Sequence, residues 1–138
     1  MRILVDTNIC LDILQNRPGL CSSSTDALVL ASSKKYKMFV TTATVLDIMY
    51  ITRKSFQNNN NQKITVQKFL SSFKLLKVSK NNVAFGFTGI MKDFEDAVQY
   101  YTAIKAKANA IISRNGKDFA PSKIPVMAAA EFLASYNK

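Results

Sequence analysis

The 138-residue chain contains no histidine. That absence removes zincin sites, Cys/His zinc modules, Ser-His-Asp triads and every histidine general base at once. Any chemistry has to come from carboxylates, hydroxyls, lysine or metal-activated water. Acidic residues are also scarce, nine against nineteen Lys and Arg, for a formal net charge of +10. Cysteine is limited to Cys10 and Cys21, in helix-like contexts without metal-ligand spacing, and both are expected to be reduced packing residues. No long hydrophobic run opens the chain. The segment MRILVDTN has one basic residue and four apolar residues before its acid, which fits neither a signal peptide nor a membrane anchor, so a cytoplasmic protein without a membrane partner is expected. There is no internal repeat and no linker. With 48% hydrophobic residues the sequence reads as a single domain over 1–138, long enough to bury about two-thirds of its unfolded surface.

What the chain does have is aspartate in particular places. Seven of the nine acids are Asp, and five fall where a strand would end or a helix begin: Asp6 in ILVDTN, Asp47 in TVLDIM, Asp93 and Asp96 in KDFEDA, and Asp118 in RNGKDF. Excess Lys and Arg attract a polyanion, whereas clustered carboxylates repel it unless divalent cations intervene. Oxygen-only ligands favour a hard cation, Mg²⁺ or Mn²⁺, over zinc or copper. The combination outlines a metal-dependent nuclease.

The hydrophobic pattern alternates short apolar runs with helical spacing. Strands are expected at 3–5, 38–40, 75–78, 110–112 and 124–126. Helices are expected over 7–14, from 22–25 to 33, from 41–44 to 53–54, over 64–73, from 81 to 86–89, over 94–107 and over 128–136. The Asn-rich stretch 57–62 reads as a polar loop. Strands separated by helices imply a parallel sheet covered on both faces, with sites at the carboxyl ends of its strands.

Each acid has a structural reading beside the functional one. Asp6 could cap the first helix, but Thr7 and Asn8 can cap it equally well. Asp47 could close a Thr44-x-x-Asp47 capping box. Asp93 suits an N-cap, with Glu95 and Asp96 in the first turn where the helix dipole favours anions. Asp118 could close the turn that Asn115-Gly116 begins. Asp12, Asp26 and Glu131 read as solvated helix faces. Arg114 and Lys117 flank the 113–118 turn and are placed to meet phosphate, while Lys34, Lys35, Lys37, Arg53 and Lys54 widen the basic surface. The five Tyr and nine Phe reveal no base-stacking platform.

Taken in order, these residues resemble the PIN-domain family along essentially the whole chain. The resemblance rests on ILVDTN, on the acid in the helix after the second strand, on DFEDAVQYYTAIKAKANAIISRNGKDF and on the late PVMAAAEFL. It implies a three-layer α/β/α sandwich with a central parallel sheet and a Mg²⁺- or Mn²⁺-dependent ribonuclease site. In VapC-like members it further implies a toxin paired with an antitoxin protein, and homodimers are common. Carried over residue by residue, Asp6, Asp47 and Asp96 are the catalytic acids, and Asp93 and Asp118 complete the metal set. Thr7, Asn8, Arg114, Asn115 and Lys117 face substrate. Two positions depart from the family pattern: Asp47 stands where Glu is usual, and Asn115 stands where a fourth acid often follows Ser-Arg. These departures leave a catalytically degenerate RNA-binding or protein-interaction module as the alternative. A haloacid-dehalogenase-like phosphatase is disfavoured because the acid it needs two residues after Asp6 is Asn8.

Overall fold

The computed structural model describes residues 1–137; Lys138, the last position of the expected domain, lies outside the described residues. Within them the chain forms β1 (Arg2–Val5), α1 (Thr7–Leu14), α2 (Cys21–Ser33), β2 (Lys37–Thr41), α3 (Thr42–Ile51), α4 (Asn59–Leu70), β3 (Lys74–Leu76), α5 (Lys80–Gly86), α6 (Phe94–Lys105), β4 (Ala110–Ile112), β5 (Val126–Met127) and α7 (Ala129–Tyr136). The five strands pair in parallel in the order β3-β2-β1-β4-β5. Parallel neighbours require crossover connections, and here helices cover both faces of the sheet, giving the expected α/β/α sandwich.

Burial on both faces explains the near-continuous apolar runs in β1, β2 and β4. Side chains still alternate. Ile3, Val5, Met38, Val40 and Ile112 pack under α1, α2, α3, α4 and α7 through Ile9, Ala27, Ile48, Val66 and Phe132. Leu4, Phe39 and Ile111 pack against Met91, Phe119 and Ala97, Tyr100 and Ala103 of α6. Cys10 is buried in the first of these layers, and both cysteines are free.

The topology fixes where a site can form. From β1 the chain builds outward through β2 to β3, then returns to the other flank of β1 for β4 and β5. Strand order therefore reverses between β1 and β4, where crossovers diverge and a crevice opens beyond the carboxyl ends. Val5 is in register with Ile112, and the Asp6 amide donates to the Ile112 carbonyl at 3.0 Å. Asp6 and Ser113 consequently leave the sheet side by side.

Several local expectations are corrected. The Asn run is not a loop throughout: Asn58 is extended and caps α4 by accepting from the Asn61 amide at 2.8 Å, so the helix begins at Asn59. Gln62 is then buried, donating to the Met49 carbonyl at 2.7 Å and to Thr52 at 3.0 Å. Residues 22–25 do not cap α2, which already starts at Cys21 without a side-chain cap. β3 ends at Leu76, because Ser79 turns the chain by capping α5. β5 begins after Pro125, which has no N–H to give the ladder.

Candidate metal centre

Asp6 sits in extended conformation between β1 and α1, and it is Asp6 that caps the helix, its Oδ1 accepting from the Thr7 amide at 2.8 Å. The expectation that Thr7 or Asn8 would make this role redundant is therefore corrected: both lie inside the first turn. Three further donors reach the same carboxylate: Ser113 Oγ at 2.7 Å, Gln99 Nε2 at 3.1 Å and Asn8 Nδ2 at 3.3 Å. Gln99 also donates to Thr44 at 3.0 Å and accepts from Thr41 at 2.7 Å, while the Thr7 and Thr44 hydroxyls lie 2.9 Å apart. This buried network ties together the ends of β1, β2 and β4, the start of α3 and the middle of α6. Such a network holds Asp6 in one rotamer.

A groove of about 330 Å³ opens beside it, lined by Asp6, Thr7, Asn8, Leu11, Asp47, Ile51, Asp93, Glu95, Asp96, Asn115 and Asp118. All five acids expected from the sequence thus share one groove, together with Glu95. Asp96 is only 7% exposed, and no donor among the described residues meets its carboxylate. Burial, followed by the charges of Asp6, Asp93 and Asp118, pushes its pKa up to about 7. Glu95 is raised to about 8, first by a hydrogen bond with Asp47, then by burial and the charges of Asp47, Asp6 and Asp96. Asp93 caps α6, accepting from the Asp96 amide at 2.8 Å, so its structural reading holds while it also lines the groove. Asp47 makes no capping box, because the N-cap of α3 is Thr41, which accepts from the Thr44 amide at 3.1 Å.

This donor set fits a hard divalent cation. It consists of oxygens alone, and two of its acids, Asp96 and Glu95, are driven toward protonation by burial and neighbouring carboxylates, a condition that a cation relieves. Among the described residues, however, no three Asp, Glu or Cys side chains already stand as a ligand cluster around one point.

Two expected phosphate contacts lie outside the groove. The Arg114 guanidinium is engaged with Asp12, Nη2 to Oδ1 at 3.0 Å and Nε to Oδ2 at 3.1 Å. Asp12 is not on a solvated face: it is fully buried in α1 and also meets Arg17 at 3.5 Å and Ser24 at 3.1 Å. The Arg114 amide donates to Asn8 Oδ1 at 3.2 Å, so α1 holds the 113–118 segment at several points. Lys117 is exposed in the 3₁₀ turn Gly116–Phe119 and is not part of the groove lining, although its neighbour Asp118 is. Glu131 reaches back to the Ala128 amide at 3.1 Å and so caps α7.

The family model for the PIN domain matches residues 2–117. The chain belongs to the PIN-domain family. Solved structures share the fold across nearly the whole chain. VapBC2 from Rickettsia felis bound to a promoter DNA fragment aligns over 93% of this chain and 98% of that chain, at 18% identity and a TM-score of 0.70. A toxin-antitoxin complex from Klebsiella pneumoniae aligns over 92% and 97%, at 23% identity and a TM-score of 0.69. DNA-bound VapBC from Salmonella typhimurium aligns over 94% and 98%, at 14% identity and a TM-score of 0.66. Among curated proteins no match was found.

Within this PIN domain, four groups at the site escaped sequence reading. Glu95 was assigned only to the helix dipole, although its place one residue before Asp96 near a helix start was a usable signal. Gln99, Thr44 and Ser113 are uncharged and sit in otherwise ordinary helical or strand-end contexts, so nothing in their spacing separates them from packing residues. Among the described residues no helix is long and apolar enough to cross a membrane.

Proposed function

We propose that this PIN domain is a Mg²⁺- or Mn²⁺-dependent ribonuclease, acting as the toxin of a cytoplasmic toxin-antitoxin pair and assembling as a homodimer. One observation carries the nuclease reading: Asp96, 7% exposed and without a protein hydrogen-bond donor, lines with Asp6 a groove of six carboxylates in a chain of net charge +10. The cation would be held by Asp6, Asp47 and Asp96, with Asp93, Glu95 and Asp118 lining the same groove. When bound, it supplies an activated water and neutralises charge that develops on the phosphodiester. Asp6 is held in one orientation by four donors, two on each oxygen, and a cation would take the place of the longest of these bonds, from Asn8 at 3.3 Å. Asn115 and Thr7 orient phosphate or water at the groove floor, and Asn8 positions the 113–115 backbone. Arg114 acts through Asp12 as a positioning residue, and surface lysines hold the RNA backbone.

The antitoxin reading draws support from the solved neighbours, two of which are VapBC structures and one a toxin-antitoxin complex. The alternative, a catalytically silent RNA- or protein-binding module, is favoured by the absence of a ready-made three-carboxylate cluster among the described residues. Mutual repulsion of cation-free carboxylates accounts for that spacing equally well. Incubation of single-stranded RNA with the purified protein distinguishes the two. The expected result is cleavage that needs Mn²⁺ or Mg²⁺, stops with chelator and is lost in Asp6→Asn and Asp96→Asn. Cleavage that persists in both variants identifies a contaminant and refutes the assignment.

A further inference from the structure

Beyond the carboxylate groove lies a second, apolar one of about 230 Å³, lined by Ala43, Val78, Val83, Phe94 and Val98 together with Asp47 and Glu95. Asp47 and Glu95 line both grooves, so this acidic pair is the partition between them. The smaller groove falls below the roughly 300–1,000 Å³ of sites that enclose a whole small molecule, and suits one fragment of a longer ligand. Its aromatic wall is built in. A Cβ on Gly86 would lie 2.6 Å from Phe94 Cε1 and 2.9 Å from Val98 Cγ2, so only glycine lets α5 press its backbone against that ring. Phe87 packs against Phe94 from the outside, with ring centroids 4.7 Å apart. Even so, Phe94 stays 45% exposed. Lys77, Lys80 and Lys92 are chain neighbours of the groove segments, and the ion pairs among the described residues, both on Asp12, involve none of them.

We infer that this slot is a base-binding subsite, in which a nucleobase of single-stranded RNA stacks on Phe94 while the adjoining phosphate lies in the carboxylate groove. The inference rests on the ribonuclease reading. Three features select this occupant: an aromatic ring in the wall, two residues shared with the carboxylate groove, and lysines close in sequence to an otherwise apolar lining and outside the ion pairs of the described residues. Stacking on an aromatic tolerates any base, since every base has a π-face. Discrimination among bases would then come from Asp47 and Glu95 at the mouth, which can accept from an exocyclic amine as acids do from cytosine N4.

The test measures affinity for a short single-stranded RNA and for a wholly abasic ribose-phosphate strand of equal length, with Asp96→Asn as the non-cleaving background. The RNA is expected to bind more tightly than the abasic strand. Phe94→Leu should remove that advantage, weakening RNA binding roughly 5- to 150-fold, the range of one base–aromatic stack, and leaving the abasic strand unaffected. Ala43→Leu, which fills the slot from α3 with Phe94 in place, should act in the same way and covers the case in which Phe94→Leu folds poorly. Equal, salt-sensitive binding of both strands by the background protein overturns the subsite and leaves the ribonuclease reading standing. Binding of neither strand overturns both. Conversion from dimer to monomer in Phe94→Leu with unchanged RNA affinity assigns the face to a second copy of the chain and overturns the subsite.

Discussion

Replacing Asp96 with asparagine should stabilise the metal-free protein, and the size of the gain should depend on pH. The folded protein holds this carboxyl near pKa 7 from an ordinary value of 3.8, through burial and the charges of Asp6, Asp93 and Asp118. A group whose folded pKa is raised binds more protons in the folded than in the unfolded state between those values, so stability falls as pH rises through this window. Below about pH 4 the parent and Asp96→Asn should differ little, because the acid is neutral in both states. Above about pH 7 the parent carries the full penalty. At 1.36 kcal/mol per unit the shift corresponds to an upper figure of about 4 kcal/mol, and relaxation of the groove brings the expected gain to about 2–4 kcal/mol. For a chain of this length that is roughly 6–15 °C in melting temperature. Thermal melts in chelator from pH 4 to 8.5 read the gain directly. Mn²⁺ at a hundredfold excess over its dissociation constant should then raise the parent by about 2.7 kcal/mol and leave the variant nearly unmoved. If Asp96 only favours the start of α6, the sign reverses: neutralisation loses roughly 0.3–1 kcal/mol at every pH where the acid is ionised. A less stable variant at pH 8 beside a metal-insensitive parent would refute the convergent-carboxylate argument.

Other outcomes follow from the same geometry. Asp12→Ala removes the partner of Arg17, Arg114 and Ser24 and should cost about 2–4 kcal/mol in urea unfolding, against less than about 0.5 kcal/mol for the exposed Asp26→Ala; equal effects would mean that the buried pair carries no stability. Gly86→Ala places a Cβ 2.6 Å from the Phe94 ring and should destabilise by about 1–3 kcal/mol, whereas Gly19→Ala meets no atom within 4 Å and pays only for its φ of +75°. RNA affinity of Asp96→Asn should fall steeply between about 50 and 200 mM salt, because phosphate neutralisation releases counterions; a flat response would assign the basic surface to something else. Mn²⁺ affinity, read by calorimetry, should rise as pH climbs through 7 to 8 with proton release on binding, since Asp96 near 7 must ionise to serve as a ligand and Glu95 near 8 must give up the proton it shares with Asp47. Affinity independent of pH over that window would place the ion away from both.

The architecture and the acids were legible in the sequence for physical reasons. Apolar runs such as Ile3-Leu4-Val5 and Ala110-Ile111-Ile112 are what a strand buried on both faces requires, and an Asp that directly follows such a run lies at a carboxyl end. Asp47 stood out because an acid between Leu46 and Ile48 needs a partner or a ligand. What could not be read was which groups would be drawn inward by polar partners. Asp12 carries the same helical spacing as a solvated acid, and only the approach of Arg17 from just beyond α1 and of Arg114 from a distant segment makes its burial tolerable. Arg114 was misread for the same reason, since its guanidinium is taken up by an acid 102 positions earlier in the chain. Residues 57–62 were misread because an Asn run gives no internal sign of which residue turns the chain, and Asn58 does so.

The site divides its carboxylates into two kinds, and that division bears on function. Asp6 accepts four hydrogen bonds and is tied through Gln99 to Thr41 and Thr44, so its place is set by the fold before any ligand arrives. Asp96 receives none, and Glu95 is satisfied only by sharing with Asp47. A pocket that gathers six acids and leaves Asp96 without a donor would have no reason to persist in a chain that needs only helix caps, because Asp93 alone supplies the cap of α6 and Asp96 adds repulsion. Strain of this kind is tolerated where a ligand removes it. A fixed acid beside poorly satisfied ones is therefore the arrangement a cation-dependent site needs: Asp6 supplies position, and the others supply the free energy that binding the cation recovers.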